Sequence, residues 1–222
     1  MRCFIALSLP EEARAALASS ATACREALEA GSIAGHRPRI SWSRPEGYHL
    51  TLAFLGEIQG AAMEAAASSL DALDGIGAIG IRLAGLGGFP FGGGERRGGA
   101  RPEGAPAELW RVLFARLDEE GQCAAAYRAL NEALVEASRR AGLGRLNPEW
   151  RGPGGARGGA FSPHVTLARS GEGSGIPGWV ADRAAVDLAG AWTIGRCALY
   201  KSELQRSGAV YTELRGVELS GS

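Results

Sequence analysis

A four-residue pattern occurs twice in this chain, as His49-Leu50-Thr51-Leu52 and as His164-Val165-Thr166-Leu167, 115 residues apart. Both copies alternate polar and apolar side chains, the period of a strand with one face on a core. The alternation places His49 and Thr51 on one face, with Leu50, Leu52 and Phe54 on the other. The second copy sets His164 and Thr166 against Val165 and Leu167 in the same way. A chain that repeats such a strand about once per half is predicted to build two related half-lobes. Two of its three histidines are spent on the repeat.

The rest of the chain supplies elements for such lobes. Residues 2–9 read as a buried strand, and Pro10-Glu11-Glu12 opens an alanine-rich helix to about Ala30, with proline and acidic residues in the favoured first turn. A basic loop through His36, Arg37 and Arg39 leads to a short strand at Ile40–Trp42 and a turn at Pro45-Glu46-Gly47. His49–Leu55 is a strand, 61–73 a helix, Ala78–Leu86 and Leu109–Leu117 strands, and Ala124–Ala141 a helix with Leu130, Leu134 and Ala137 at helical spacing. Phe161–Ala168, Thr193–Leu199 and Val210–Leu219 are further strands. Glycine-rich stretches at about 92–106 and 152–159 bury too little apolar surface to order themselves and are expected to be flexible loops. The order gives an α+β fold rather than a strict parallel βαβ sheet, in one bilobal domain over 1–222.

Composition removes several functions. Of 24 basic residues Lys201 alone is lysine. It follows Tyr200 with no glycine-rich loop before it, so no P-loop is present, and neither the protein-kinase motifs nor a nucleotidyl-lysine motif occurs. ATP-driven chemistry is not expected. The net charge is zero, so contact with nucleic acid must be local. Cys3, Cys24, Cys123 and Cys197 are scattered, with no spacing that implies disulfides or a metal site. The start is too briefly apolar for a signal peptide and no run approaches a membrane span, so a cytoplasmic protein without membrane contact is expected.

An imidazole beside a hydroxyl on an exposed strand face is a catalytic half-site, and two such half-sites facing each other suit acid–base phosphodiester chemistry. A neutral imidazole deprotonates the attacking oxygen, an imidazolium protonates the departing one, and the threonines Thr51 and Thr166 donate hydrogen bonds to phosphate oxygens. A zinc site would want further ligands at short spacing, and neither motif has a Cys, Asp or Glu beside it.

These residues resemble the 2H phosphoesterase superfamily, and within it the RNA 2′,3′-cyclic phosphodiesterases, also called 2′-5′ RNA ligases. The likeness runs through Met1–Leu7, Trp42-Ser43-Arg44-Pro45-Glu46 with His49–Glu57, Gly88-Phe89-Pro90, Trp110, Phe161–Arg169 and Leu199–Leu204 with Gly208 and Tyr211. It departs in the longer separation of the motifs, which the glycine-rich loops account for. The resemblance implies two pseudo-symmetric lobes, each an antiparallel sheet with outer helices, and an active-site cleft between them. It implies metal-independent hydrolysis of an RNA terminal 2′,3′-cyclic phosphate to a 2′-phosphate, with reversible 2′-5′ ligation and no cofactor. RNA ends or 2′,3′-cyclic nucleotides would be substrates of a monomer. His49 would be the proton donor and His164 the proton acceptor, roles that the near-identical motifs do not separate by themselves.

Arg169 is linked to substrate binding in the family, yet strand parity puts it opposite His164, so a phosphate contact there requires a twist, bulge or strand end. Arg37, Arg39 and Arg44 with Trp42 form a basic, aromatic segment able to grip RNA, although Trp42 also suits a core position. His36, Lys201 and Ser202 read as non-catalytic. The alternatives are a binding module of the same fold without turnover, and a related enzyme acting on another cyclic or 2′-5′ phosphodiester.

Overall fold

The apolar run Cys3–Leu7 is a strand covered on both sides. In the computed structural model it forms the middle of β1 (Arg2–Ser8), where Cys3, Phe4, Ile5, Ala6 and Leu7 are all buried. The structure describes residues 1–31, 39–90, 109–117, 136, 139–140, 163–171, 174–184, 190–205 and 208–219. The expected loops at 92–106 and 152–159 lie outside these, as does the helix expected at Ala124–Ala141 apart from Glu136, Arg139 and Arg140, which are helical.

Helix α1 (Glu11–Gly31) starts where Pro10 fixes the first turn, with Glu11 and Glu12 at the positive end of the helix dipole. Its buried stripe, Ala13, Leu17, Ala21, Cys24 and Leu28, recurs at helical spacing. It is followed by β2 (Ile40–Trp42), a 3-10 turn at Pro45–Gly47, β3 (His49–Glu57) and α2 (Ala61–Ser69). The helix expected over 61–73 tightens into a 3-10 turn at Leu70–Leu73, where Leu70 and Leu73 enter the core. Then come β4 (Ile79–Pro90), β5 (Leu109–Leu117), β6 (His164–Ser170), β7 (Ile176–Pro177), α3 (Trp179–Arg183), β8 (Ala191–Ile194), β9 (Arg196–Gln205) and β10 (Gly208–Glu218).

The described strands make two antiparallel sheets. One has the order β10-β9-β1-β3 and the other β2-β6-β5-β4-β8, with β7 pairing Leu109 and Trp110 of β5. Each sheet carries one copy of the repeat, on β3 and on β6. The lobes are not successive halves of the chain, however. The first sheet takes β1 and β3 from the N-terminal part and β9 and β10 from the C-terminal part, while β2 joins the second sheet.

The continuous strand expected at Thr193–Leu199 is in fact two strands in different sheets. Ile194 pairs with Ile79 in the second sheet, whereas Cys197 pairs with Leu7 in the first. The chain crosses at Gly195, whose carbonyl accepts the Leu219 N–H at 2.7 Å. Below both sheets lies one buried cluster that includes Ile5, Leu7, Leu50, Ile79, Leu113 and Leu167. Cys3, Cys24 and Cys197 are buried free thiols.

Candidate active site

Both motif strands are bulged at the same place. Between β1 and β3 the partners run Phe4–Phe54 and Ile5–Ala53, then skip Leu52 to reach Ala6–Thr51 and Ser8–His49. Between β5 and β6 they run Val112–Arg169 and Leu113–Ala168, then skip Leu167 to reach Phe114–Thr166 and Arg116–His164. A bulge puts two consecutive side chains on one face. Accordingly Leu52 and Ala53 are both buried, and so are Leu167 and Ala168. Alternation resumes one step out of phase, which returns Phe54 to the face of His49 and Arg169 to the face of His164. Simple alternation assigns Phe54 and Arg169 to the opposite faces; the bulges correct both.

Each histidine is gripped by two aromatic rings. The His49 ring lies 4.7 Å from Phe4, tilted by 31°, and 5.1 Å from Tyr211, edge-on at 86°. The His164 ring lies 4.9 Å from Phe114, tilted by 52°, and 4.8 Å from Phe89, edge-on at 82°. Phe4 and Phe114 come from the strand beside each motif, and Phe4 is itself stacked on Tyr200, whose hydroxyl lies 2.7 Å from Ser8 Oγ. None of these aromatics is singled out by the sequence as holding a histidine. The available signals are the parity of Phe4 on its strand and the Gly88-Phe89-Pro90 segment.

His49 is also held from behind. Its Nδ1–H donates to the Gly47 carbonyl at 2.7 Å, and since a carbonyl only accepts, the remaining ring nitrogen Nε2 is left for chemistry. Gly47 lets the Tyr211 ring come close, since a Cβ there would sit 3.2 Å from it, a tight contact. Burial pushes the His49 imidazole down to about 4, opposed by the Gly47 bond and reinforced by the charges of Arg169 and His164. His49 is therefore neutral at pH 7 in the free protein.

The two motif strands meet where the sheets adjoin. Ser43, just ahead of the 3-10 turn that leads into β3, donates its N–H to the carbonyl of the bulge residue Leu167 at 2.8 Å. Across this seam the charges of Arg169 and His164 both act on His49, and Arg169 acts on Tyr211 as well. Thr51 and Thr166 are partly exposed beside their histidines. A cleft of about 470 Å³ opens at the Ser170 end of β6 beside β2, lined by Arg39, Ile40, Ser41, Arg169, Ser170 and Gly171.

The remaining sequence candidates take other places. Trp42 is packed against the core with Arg25 over its ring at 5.1 Å. Arg44 precedes the 3-10 turn, and Lys201 pairs with Glu203 at 2.8 Å. His36 and Arg37 lie outside the described residues. Among the described residues no three His, Cys, Asp or Glu side chains are grouped so as to hold a metal ion, and no helix is long and apolar enough to cross a membrane.

Comparison with known proteins places this arrangement. Residues 9–93 match the family model of the LigT-like phosphoesterases. The whole chain aligns at 36% identity with an RNA 2′,3′-cyclic phosphodiesterase of Thermus thermophilus, covering 91% of that protein. The chain belongs to the LigT-like phosphoesterases. The solved structure of TT0787 from Thermus thermophilus superposes on this phosphoesterase with a TM-score of 0.67 at 30% identity, covering 100% of this chain and 99% of that one. Escherichia coli LigT complexed with 3′-AMP shares the fold, with a TM-score of 0.57 at 21% identity and coverage of 98% and 96%. The two antiparallel sheets and the α+β, two-lobed arrangement are thus those of a LigT-like phosphoesterase, and the chain is an enzyme of phosphoester chemistry.

Proposed function

We propose that this phosphoesterase opens the 2′,3′-cyclic phosphate at an RNA end, leaving a 2′-phosphate and a free 3′-hydroxyl. The observation that carries the reading is the matched pair of bulged strands, which turns His49, Thr51, His164, Thr166 and Arg169 toward one seam. The Thermus relative, named for this activity, supports the substrate class.

In this mechanism His164 takes a proton from water as the water oxygen bonds to phosphorus. The bond from phosphorus to the 3′-oxygen breaks, and His49 delivers a proton to that oxygen. Thr51 and Thr166 donate to the non-bridging oxygens, and the Arg169 guanidinium offsets their charge. His49 enters this cycle neutral. Burial and the charge of Arg169 hold its imidazole down. A bound phosphodiester anion offsets that charge, and the Nδ1–H bond to Gly47 favours the charged ring. His49 therefore takes up a proton from solvent at Nε2 as substrate binds, while His164 stays neutral to accept one. Substrate thus loads the proton donor. Run in the same direction with a 5′-hydroxyl in place of water, the same groups join ends in a 2′-5′ linkage without ATP, and the reverse of that step cleaves the linkage back to the cyclic phosphate. No metal has a part in any of these steps.

The test is a short RNA ending in a 2′,3′-cyclic phosphate, incubated in EDTA with wild type, His49→Ala and His164→Ala, with 2′- and 3′-phosphate products resolved. The expected result is 2′-phosphate from wild type and turnover lowered by about 10²- to 10⁴-fold in each variant. Binding without turnover would make the protein a nucleotide-binding module, and turnover surviving both substitutions would put the chemistry elsewhere.

A further inference from the structure

Arg39 stands in line with the proposed catalytic groups, yet no step of the reaction uses it. Its neighbour Ser41 pairs with Arg169 across the β2–β6 ladder, and directly opposed residues of an antiparallel pair share a face. Arg39 lies two residues before Ser41 and so shares that face too. Since the Leu167 bulge sets Arg169 on the side of His164 and Thr166, one face carries, in order, His164, Thr166, Arg169, Ser41 and Arg39. The last three line the same cleft.

The backbone of Arg39 is anchored independently of its side chain. Its N–H donates to Ser174 Oγ at 2.9 Å, and its carbonyl accepts the Gly171 N–H at 2.7 Å. The side chain is exposed, and among the described residues no carboxylate pairs with it. By contrast, Arg14, Arg196 and Arg215 are each tied to a carboxylate. A guanidinium fixed at its base, open at its tip and one cleft away from a phosphate-directed arginine is disposed to take a second phosphate.

Resting on the proposed reaction, we infer that Arg39, with Ser41, forms a second phosphate subsite for a phosphodiester further back along the RNA strand. Arg39 faces Gly171, about 7 Å of strand past Arg169 and further still from His164, so the phosphate it meets lies more than one nucleotide before the end. The substrate class is then an RNA chain with a cyclic end rather than a free cyclic nucleotide. The terminal phosphate sits at the histidines, and a phosphate further back falls on Arg39.

The experiment measures binding of a fluorescent trinucleotide ending in a 2′-phosphate, and of adenosine 2′-monophosphate by competition, to wild type, Arg39→Ala, Arg39→Lys and Arg82→Ala. Arg82 is an exposed arginine on β4, toward the other edge of the same sheet, and controls for lost charge. Arg39→Ala is expected to reduce the preference for trinucleotide over mononucleotide about tenfold, the scale of one charge-assisted contact. It should also lower the salt dependence of trinucleotide binding by about 0.7 in log–log slope. Arg39→Lys should keep most of that slope, and Arg82→Ala should keep both quantities.

An unchanged preference in Arg39→Ala, or an equal loss for both ligands, overturns the subsite. Turnover of cyclic trinucleotide and cyclic mononucleotide is followed in parallel. If wild type hydrolyses neither, the proposed reaction fails, while the binding preference still decides the subsite.

Discussion

Two residues of one chemical type occupy matching positions in the repeat, and the protein differentiates them by what surrounds them. His49 is held by a carbonyl at Nδ1 and pushed down to about 4 by burial. By proton NMR its imidazole should titrate well below the ordinary histidine value of about 6.5 in the free protein, and higher once adenosine 2′-monophosphate is bound. A free-state value at or above 6.5 would remove the substrate-loaded donor from the mechanism. In the proposed reaction the threonines act later. Thr51→Val and Thr166→Val keep the strand shape but lose a donor that strengthens as charge builds on the phosphate. Each should lower kcat by about 100-fold with little change in KM. A loss confined to KM would mean that they hold ground-state substrate instead.

At the scale of elements the bulges, the crossover and the glycines decide the geometry. Gly88 on β4 is backbone that Trp110 covers, and a Cβ there would sit 1.8 Å from a ring carbon of that indole. Gly88→Ala should therefore cost about 1–3 kcal/mol in denaturant unfolding, from overpacking in the core. A neutral result would show that Trp110 swings aside. Contacts of this kind also explain why the sequence was legible only in part. The motif strands and the first helix follow from period and end signals in the residues themselves, while the placing of one motif in each sheet follows from the repeat together with the family resemblance. Leu52 and Leu167 bear no local sign of a bulge, since a leucine suits either half of an alternating pattern, so the true side of Phe54 and Arg169 could not be read. The Gly195 crossover was hidden likewise, because Thr193–Leu199 reads as one strand until its partners are known. The aromatic grips on the histidines join strands far apart in the chain, and that information resides in pairing rather than in spacing.

The whole molecule is tied by one buried cluster under both sheets. Circular dichroism and tryptophan fluorescence should accordingly report one coincident unfolding transition. Two separable transitions would mean that the lobes are independent. Stability should also depend on pH through His49. Between about 6.5 and about 4 the unfolded chain binds a proton that the folded one refuses, so stability falls as pH falls across that window. The loss by pH 4.5 should be on the order of 2 kcal/mol larger in wild type than in His49→Gln, compared by urea unfolding at pH 7 and pH 4.5.

The central strand β1 has its partner β9 almost two hundred residues downstream, Cys3 lying opposite Lys201. During synthesis β1 and β3 leave the ribosome early, and both histidine motifs are present well before the sheet that supports the first of them can close. Contacts of such long range form late, after the cost of closing the intervening loop has been met. The sheet that carries the first motif therefore closes only once β9 and β10 have been made, which places its completion at the end of folding rather than at the start.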